Sequence, residues 1–91
     1  MKPLQGNVAL VTGSSRGIGA AIAKHFAELG ASVVVHGRDT VAIEAVRSSI
    51  DRAGGKSVGV AGDVTSFALI ERMRAEVESR LGPVNILVAN A

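Results

Sequence analysis

The sequence contains no cysteine and no tyrosine, and only two aromatic residues, Phe26 and Phe67, among its 91 residues. Without cysteine, the chain can form no disulfide, no thiolate nucleophile and no cysteine-ligated metal site. Two phenylalanines do not make the stacking platform that single-stranded nucleic acids require. The interior must therefore consist mainly of valine, isoleucine, leucine and alanine, which is typical of helices packed on a parallel sheet.

A marked excess of charge and a long apolar run are also missing. Ten basic and eight acidic residues leave a net charge of +2, and the basic residues are scattered, so we expect no nucleic-acid partner. No apolar run is long enough to span a bilayer, and Pro3, Gln5 and Gly6 interrupt any signal-peptide core. We therefore expect a soluble, cytoplasmic protein with no membrane partner and no metal site.

Short apolar runs alternate with segments of helical periodicity along the whole chain. The runs predict strands over residues 8–11, 32–36, 58–61 and 86–88, the first and the fourth of them buried. Glycines at positions 30, 54 and 82 end the three helices between them. The predicted apolar stripes are Ile18, Ile22, Phe26 and Leu29 in the first helix, Ile43, Val46 and Ile50 in the second, and Phe67, Ile70, Val77 and Leu81 in the third.

Alternating strands and helices of these lengths call for right-handed crossovers and a parallel sheet. With the winding starting at the first strand, the expected strand order is 3-2-1-4. We therefore predict an α/β chain that forms the N-terminal half of a Rossmann-type doubly wound sheet, with residues 1–91 as one dinucleotide-binding segment. A chain of this size buries only about two-thirds of the surface that its unfolded form exposes.

The segment TGSSRGIG, residues 12–19, lies between the first strand and its helix, and we call it the glycine loop. Its glycines permit a sharp turn and let backbone N–H groups approach a pyrophosphate, while the helix N-terminus adds unpaired donors. A plain tight turn is the alternative, but the buried strand before the loop and the amphipathic helix after it favour a dinucleotide site. The predicted cofactor-binding residues of the loop are Gly13, Ser15, Arg16, Gly17, Ile18 and Gly19.

Three motifs together resemble the short-chain dehydrogenase/reductase family. The glycine loop matches that family's T-G-x-x-x-G-x-G, the sequence 62–64 is similar to the acidic D-V pair after strand three, and 87–91 is similar to N-N-A-G. Ala89 replaces the first asparagine of that last motif, and its final glycine is missing. The resemblance, nearest to the 3-oxoacyl-carrier-protein reductase branch, implies that Asp63, Val64, Asn90 and Ala91 also contact the cofactor. Asp63 fits the N-cap of the next helix equally well.

The resemblance implies an oxidoreductase that transfers a hydride between a nicotinamide cofactor and a carbonyl or alcohol substrate. In the family a serine and a Tyr-x-x-x-Lys pair move the proton, whereas this chain has no tyrosine and no serine after Ser79. We therefore expect the catalytic residues beyond Ala91, a segment that is inactive by itself, and a homo-oligomer for the full-length protein. The alternative is a stand-alone nucleotide-binding half-domain without turnover.

The end of the second strand bears on the choice between NADP and NAD. An acid about twenty residues past the glycine loop accepts hydrogen bonds from the ribose of NAD, whereas the 2′-phosphate of NADP needs a cation. Gly37 stands where the acid is expected, Arg38 follows it, and Arg16 lies in the loop. These arginines favour NADP, with NAD as the alternative. Asp39 is the counter-evidence, and we interpret it as a helix cap.

Overall fold

The computed structural model describes residues 2–62 and 67–90, with the backbone alone for 67–70. Four strands alternate with three helices, as the sequence predicts. The elements are β1 (Val8–Val11), α1 (Gly17–Glu28), β2 (Ser32–Gly37), α2 (Thr40–Arg52), β3 (Lys56–Ala61), α3 (Phe67–Leu81) and β4 (Ile86–Val88).

The strands form one parallel sheet in the order β3-β2-β1-β4, which confirms the predicted fold class and topology. Val11, the last residue of β1, stands level with Val35 of β2 and Val88 of β4. The carboxyl ends of these strands therefore meet at one edge of the sheet. β3 starts at Lys56, two residues before the predicted start, because Lys56 pairs through its backbone with Ser32. A pattern of apolar residues cannot predict this pairing, because neither Lys56 nor Ser32 is apolar.

The sheet is buried on two faces around β2, and alternate residues of that strand enter two separate cores. Val33 and Val35 pack in the cluster that contains α1 and α2, and Val34 packs in the cluster that contains α3. All three valines are fully buried. This follows from the two-residue period of a strand. Burying one such side chain stabilises a fold by about 1.5–3 kcal/mol relative to leaving it exposed.

The predicted stripe of α1 is wrong in part. Ile18 is 76% exposed and Leu29 only half-buried, while Ile22 and Phe26 pack at the margin of the core. The helix is turned so that its buried face carries small residues, one of which, Gly19, approaches the loop closely. These residues are Gly19, Ala20, Ala23 and Ala27.

The stripes of the other two helices agree better with the sequence pattern. Ile43, Val46 and Ile50 are the buried residues of α2, as predicted. In α3, Val77 is buried and Leu81 half-buried as expected, and Met73 is buried although the prediction left it out. The predicted side chains at positions 67 and 70 lie outside the described residues. Among the helices that the structure describes, none combines the length and apolarity that crossing a membrane would require.

β4 is not the buried strand that the sequence predicts. Leu87 is 66% exposed, and Ile86 and Val88 are half-buried. The reason is its position, since within the described part of the chain β4 pairs with β1 and forms the edge of the sheet. Leu87 lines an apolar cleft together with Met73 and Val77 of α3.

An apolar edge strand is a template for pairing with another chain, so we expect this segment to self-associate through β4. Size-exclusion chromatography over a range of concentrations should show species larger than a monomer, and Leu87→Lys should shift them toward the monomer. Val41→Lys is the control, because Val41 is 78% exposed on α2, away from β4. A wild-type chain that stays monomeric at every concentration contradicts this prediction.

Candidate cofactor site

The glycine loop lies where the carboxyl ends of β1, β2 and β4 meet, and backbone hydrogen bonds join it to both neighbouring strands. The Thr12 N–H donates to the Val88 carbonyl at 3.0 Å, and the Ser14 N–H donates to the His36 carbonyl at 2.7 Å. The Asn90 N–H donates to the Thr12 hydroxyl at 2.9 Å. The loop is thus attached to the sheet on two sides, and Asn90 lies against it.

Gly13 and Gly19 allow the start of α1 to pack directly on the loop. Gly13 has a φ of 63°, a conformation that side-chain-bearing residues rarely adopt. A Cβ on Gly19 would collide with the Gly13 carbonyl oxygen and would lie 2.7 Å from the Asn90 amide nitrogen. That same amide donates to the Gly13 carbonyl at 3.3 Å. Only glycine fits at position 19.

The N-terminus of α1 differs from that of α2 in how it is capped. In the described structure no side chain caps α1, whose N-cap residue is Arg16 in an extended conformation. The first turn of a helix carries unpaired N–H groups and the positive end of the helix dipole, which together bind anions. In α2 the Asp39 carboxylate accepts from the Val41 and Ala42 N–H groups at 2.9 and 3.3 Å. Of these two helices, α1 is therefore the one whose first turn is suited to a phosphate group.

Ser14 and His36 fasten the loop to the end of β2, and neither is among the cofactor-binding residues that the sequence predicts. The His36 N–H donates to the Ser14 hydroxyl at 2.8 Å, and both residues are buried. The Gly13 N–H donates to His36 Nδ1 at 3.0 Å, and Nε2 lies 2.8 Å from the Gly62 carbonyl. Because an N–H donates and a carbonyl accepts, the proton resides on Nε2. The sequence signal for this network is the position of the two residues, Ser14 in the glycine loop and His36 at the end of a predicted strand.

Arg16 and Asp39 form an ion pair that the sequence analysis did not predict. Arg16 Nη2 lies 2.7 Å from Asp39 Oδ2, and both side chains are largely solvent-exposed. The N–H groups of Ala42 and Val41, followed by the Arg16 guanidinium, hold the pKa of Asp39 below its ordinary value. The prediction that Asp39 caps α2 is confirmed. The loop arginine is thereby held beside the end of β2.

The remaining predicted site residues fall into two groups. Ser15, Gly17 and Ile18 lie in the loop or at the start of α1, and Arg38 is exposed directly after β2. These residues surround the edge at which the strands end. Predicted contacts at Asp63, Val64 and Ala91 lie outside the described residues.

The sequence and fold both have close counterparts among known proteins. A model of the family described as short chain dehydrogenase matches residues 7–91. This chain belongs to the short-chain dehydrogenase family. The family that the sequence motifs indicate is thereby confirmed, whereas the resemblance to the 3-oxoacyl-carrier-protein reductase branch stays a prediction.

Individual relatives show how much of a family member this segment represents. Gluconate 5-dehydrogenase of Gluconobacter oxydans is 40% identical over 88 residues, which cover 97% of this chain and 34% of that protein. A metagenomic short-chain oxidoreductase crystallised with NADP is 43% identical with a TM-score of 0.90, over 97% of this chain and 40% of that one. Hydroxysteroid dehydrogenase from Escherichia coli is 40% identical with a TM-score of 0.92, over 97% of this chain and 37% of that one. The chain therefore spans little more than a third of these relatives.

Replacing Gly19 by alanine should abolish tight dinucleotide binding by this short-chain dehydrogenase segment, because the new methyl group displaces the loop from α1. Loss of even one hydrogen bond to a charged phosphate, about 1.5–3 kcal/mol, weakens binding about tenfold or more. Fluorescence titration with NADPH and NADH measures the effect.

The control for Gly19→Ala is Gly55→Ala, which inserts a methyl group 2.8 Å from Ile50 Cγ2 beside the amino end of β3. Both variants should lower the thermal midpoint, but only Gly19→Ala should lower the affinity for the dinucleotide. Undiminished binding by a folded Gly19→Ala variant would show that the loop does not hold the cofactor.

Proposed function

We propose that this chain binds NADP and forms the cofactor-binding segment of an oxidoreductase that transfers a hydride between the nicotinamide and a carbonyl or alcohol substrate. The observation that carries the choice of NADP is the end of β2, where Gly37 is buried and Arg38 is exposed beside it. Gly37 offers no carboxylate to a ribose hydroxyl, and Arg38 offers a cation to a 2′-phosphate. One structural relative, the metagenomic oxidoreductase, was crystallised with NADP, which supports the proposal.

The donors of the glycine loop suit the pyrophosphate of such a cofactor. Gly13 and Gly19 bring the loop backbone and the start of α1 into direct contact. The uncapped first turn of α1 supplies N–H groups and a positive dipole end. In this proposal the amides from Gly17 to Gly19 hold the pyrophosphate, and Ser15 and Ile18 line the same site.

The ion pair between Arg16 and Asp39 bears on Asp39, the counter-evidence that favours NAD. Asp39 already accepts from two backbone N–H groups through Oδ1 and from Arg16 through Oδ2. These partners support its role as a cap over a role as ribose acceptor. The ion pair also holds the Arg16 guanidinium beside Asp39, which directly follows Arg38 in the sequence. Two guanidinium groups at one strand end supply the paired, charge-assisted hydrogen bonds that a phosphate monoester prefers.

The adenine side of the cofactor is assigned to the loop after β3. The Gly62 carbonyl contacts His36, which brings the start of that loop to the same edge of the sheet. We propose that Asp63 and Val64 contact the adenine there and that Asn90 and Ala91 lie nearer the nicotinamide. Bound NADP supplies the hydride chemistry, and the residues of this chain bind and orient it.

The activity of the whole protein is a further part of the proposal. By resemblance to its family, the protein acts on a small carbonyl or alcohol substrate as a homo-oligomer, and the 3-oxoacyl-carrier-protein reductase branch is proposed from the sequence motifs alone. The stand-alone nucleotide-binding half-domain without turnover remains the alternative. A Tyr-x-x-x-Lys motif encoded beyond codon 91 decides in favour of the enzyme, and a stop codon there decides against it.

Replacing Arg38 by aspartate should weaken NADPH binding much more than NADH binding, because it exchanges a phosphate partner for a repelling charge. Hydrogen bonds to charged groups contribute about 1.5–3 kcal/mol, so the dissociation constant for NADPH should rise about tenfold to a hundredfold. Fluorescence titration with both cofactors gives the two constants.

A matched control for Arg38→Asp is Arg52→Asp, which makes the same charge change at the far end of α2. It should change the affinities for NADPH and NADH only slightly, through the altered net charge of the protein. If Arg38→Asp changed both affinities equally, the assignment of Arg38 to the 2′-phosphate would be wrong.

A further inference from the structure

Gly37 is buried at the end of β2, and the side chain that prevents any larger residue there is Ser15 of the glycine loop. A Cβ on Gly37 would collide with Ser15 Oγ and lie 2.8 Å from Ser15 Cβ, closer than real Cβ contacts come. Gly37 is absent from the glycines that have a positive φ. The glycine is therefore required by the space that Ser15 occupies and not by the backbone conformation.

Ser15 cannot move aside freely, because the residues before it are attached to β2. The Ser14 N–H donates to the His36 carbonyl at 2.7 Å, and the His36 N–H returns a hydrogen bond to the Ser14 hydroxyl at 2.8 Å. The Gly13 N–H donates to His36 Nδ1 at 3.0 Å. Rotation about χ1 of Ser15 relieves the collision with Oγ, whereas relieving the contact with Cβ requires the loop itself to shift.

We infer that Ser15 is a specificity-determining residue, whose side chain fills the space of a residue-37 side chain and so excludes an acid from the end of β2. The inference rests on the proposed preference for NADP. An acid at position 37 would accept hydrogen bonds from the ribose hydroxyls of NAD. The glycine loop thus also limits which residue fits at the end of β2. A larger residue at position 37 requires a smaller one at position 15.

The steric part of this inference makes a graded prediction for Gly37→Ala in three backgrounds. Ser15→Ala removes Oγ but keeps the Cβ contact at 2.8 Å, and Ser15→Gly removes both. The loss of thermal midpoint on adding Gly37→Ala should be largest with Ser15, smaller with Ser15→Ala and smallest with Ser15→Gly. Residues in contact show such non-additivity, and independent ones do not. An equal loss in all three backgrounds would overturn the inference.

The specificity part is tested with Gly37→Asp in the same chain. Alone, this substitution should weaken NADPH binding without gain for NADH, because the acid displaces the loop. Combined with Ser15→Gly, it should raise the ratio of NADH to NADPH affinity about tenfold or more over Ser15→Gly alone, the equivalent of about 1.4 kcal/mol. Fluorescence titration with both cofactors measures each ratio.

The outcomes separate this inference from the proposed function. If Gly37→Asp gains NADH affinity as fully with Ser15 as with Ser15→Gly, Ser15 is not the residue that excludes the acid. If the wild-type chain binds NADH as tightly as NADPH, the proposed preference fails, while the thermal midpoints of the Gly37→Ala series still report the coupling. Should Gly37→Asp alone fail to fold, recovery of the fold by Ser15→Gly confirms the collision, and failure to recover contradicts it.

Discussion

The contact between Gly19 and the Gly13 carbonyl is the constraint on which the rest of the cofactor site depends. It places the first turn of α1 directly above the end of β1, so that the unpaired N–H groups of the helix face the same edge as the strand ends. The buried face of the same helix carries small residues, and larger side chains lie at its margins.

A second set of contacts transmits this arrangement to the neighbouring strands. His36 joins the loop after β1 to the loop after β3 through its two ring nitrogens, and Ser14 joins the first loop to the backbone of β2. The pyrophosphate and adenine regions of the proposed site therefore share one buried hydrogen-bond network. Such networks are costly when a member is left unpaired, so they hold their parts in a fixed relation.

The sequence was sufficient for the topology and for the position of the glycine loop. The apolar runs and the helix-ending glycines are local features of the sequence. Together with the rule that crossovers are right-handed, they predicted the strand order that the structure shows. The prediction failed for Ile18, which its spacing places in the core, because α1 turns Gly19 and Ala23 to the sheet and leaves Ile18 exposed. It failed again for Leu87, because a strand's place at the edge of a sheet is not a property of its own residues.

Side-chain partners were the least predictable part of the site. Asp39 was recognised as a helix cap from its neighbours, but its pairing with Arg16, 23 positions away, depends on the fold. The same holds for the contact of Ser15 with Gly37. Each of these pairs joins the glycine loop to the end of β2, two segments that come together only after the sheet has formed.

A two-dimensional ¹H–¹⁵N NMR titration of this chain with NADP⁺ tests the central claim most directly, because it reports on each backbone amide separately. If the glycine loop and the first turn of α1 hold the pyrophosphate, the largest shifts fall on the amides of residues 13–19, with smaller ones at Arg38. Residues at the opposite edge of the sheet, where the strands begin, such as Ser32 and Lys56, should hardly change. Shifts concentrated at that opposite edge, or binding without change at residues 13–19, would contradict the account.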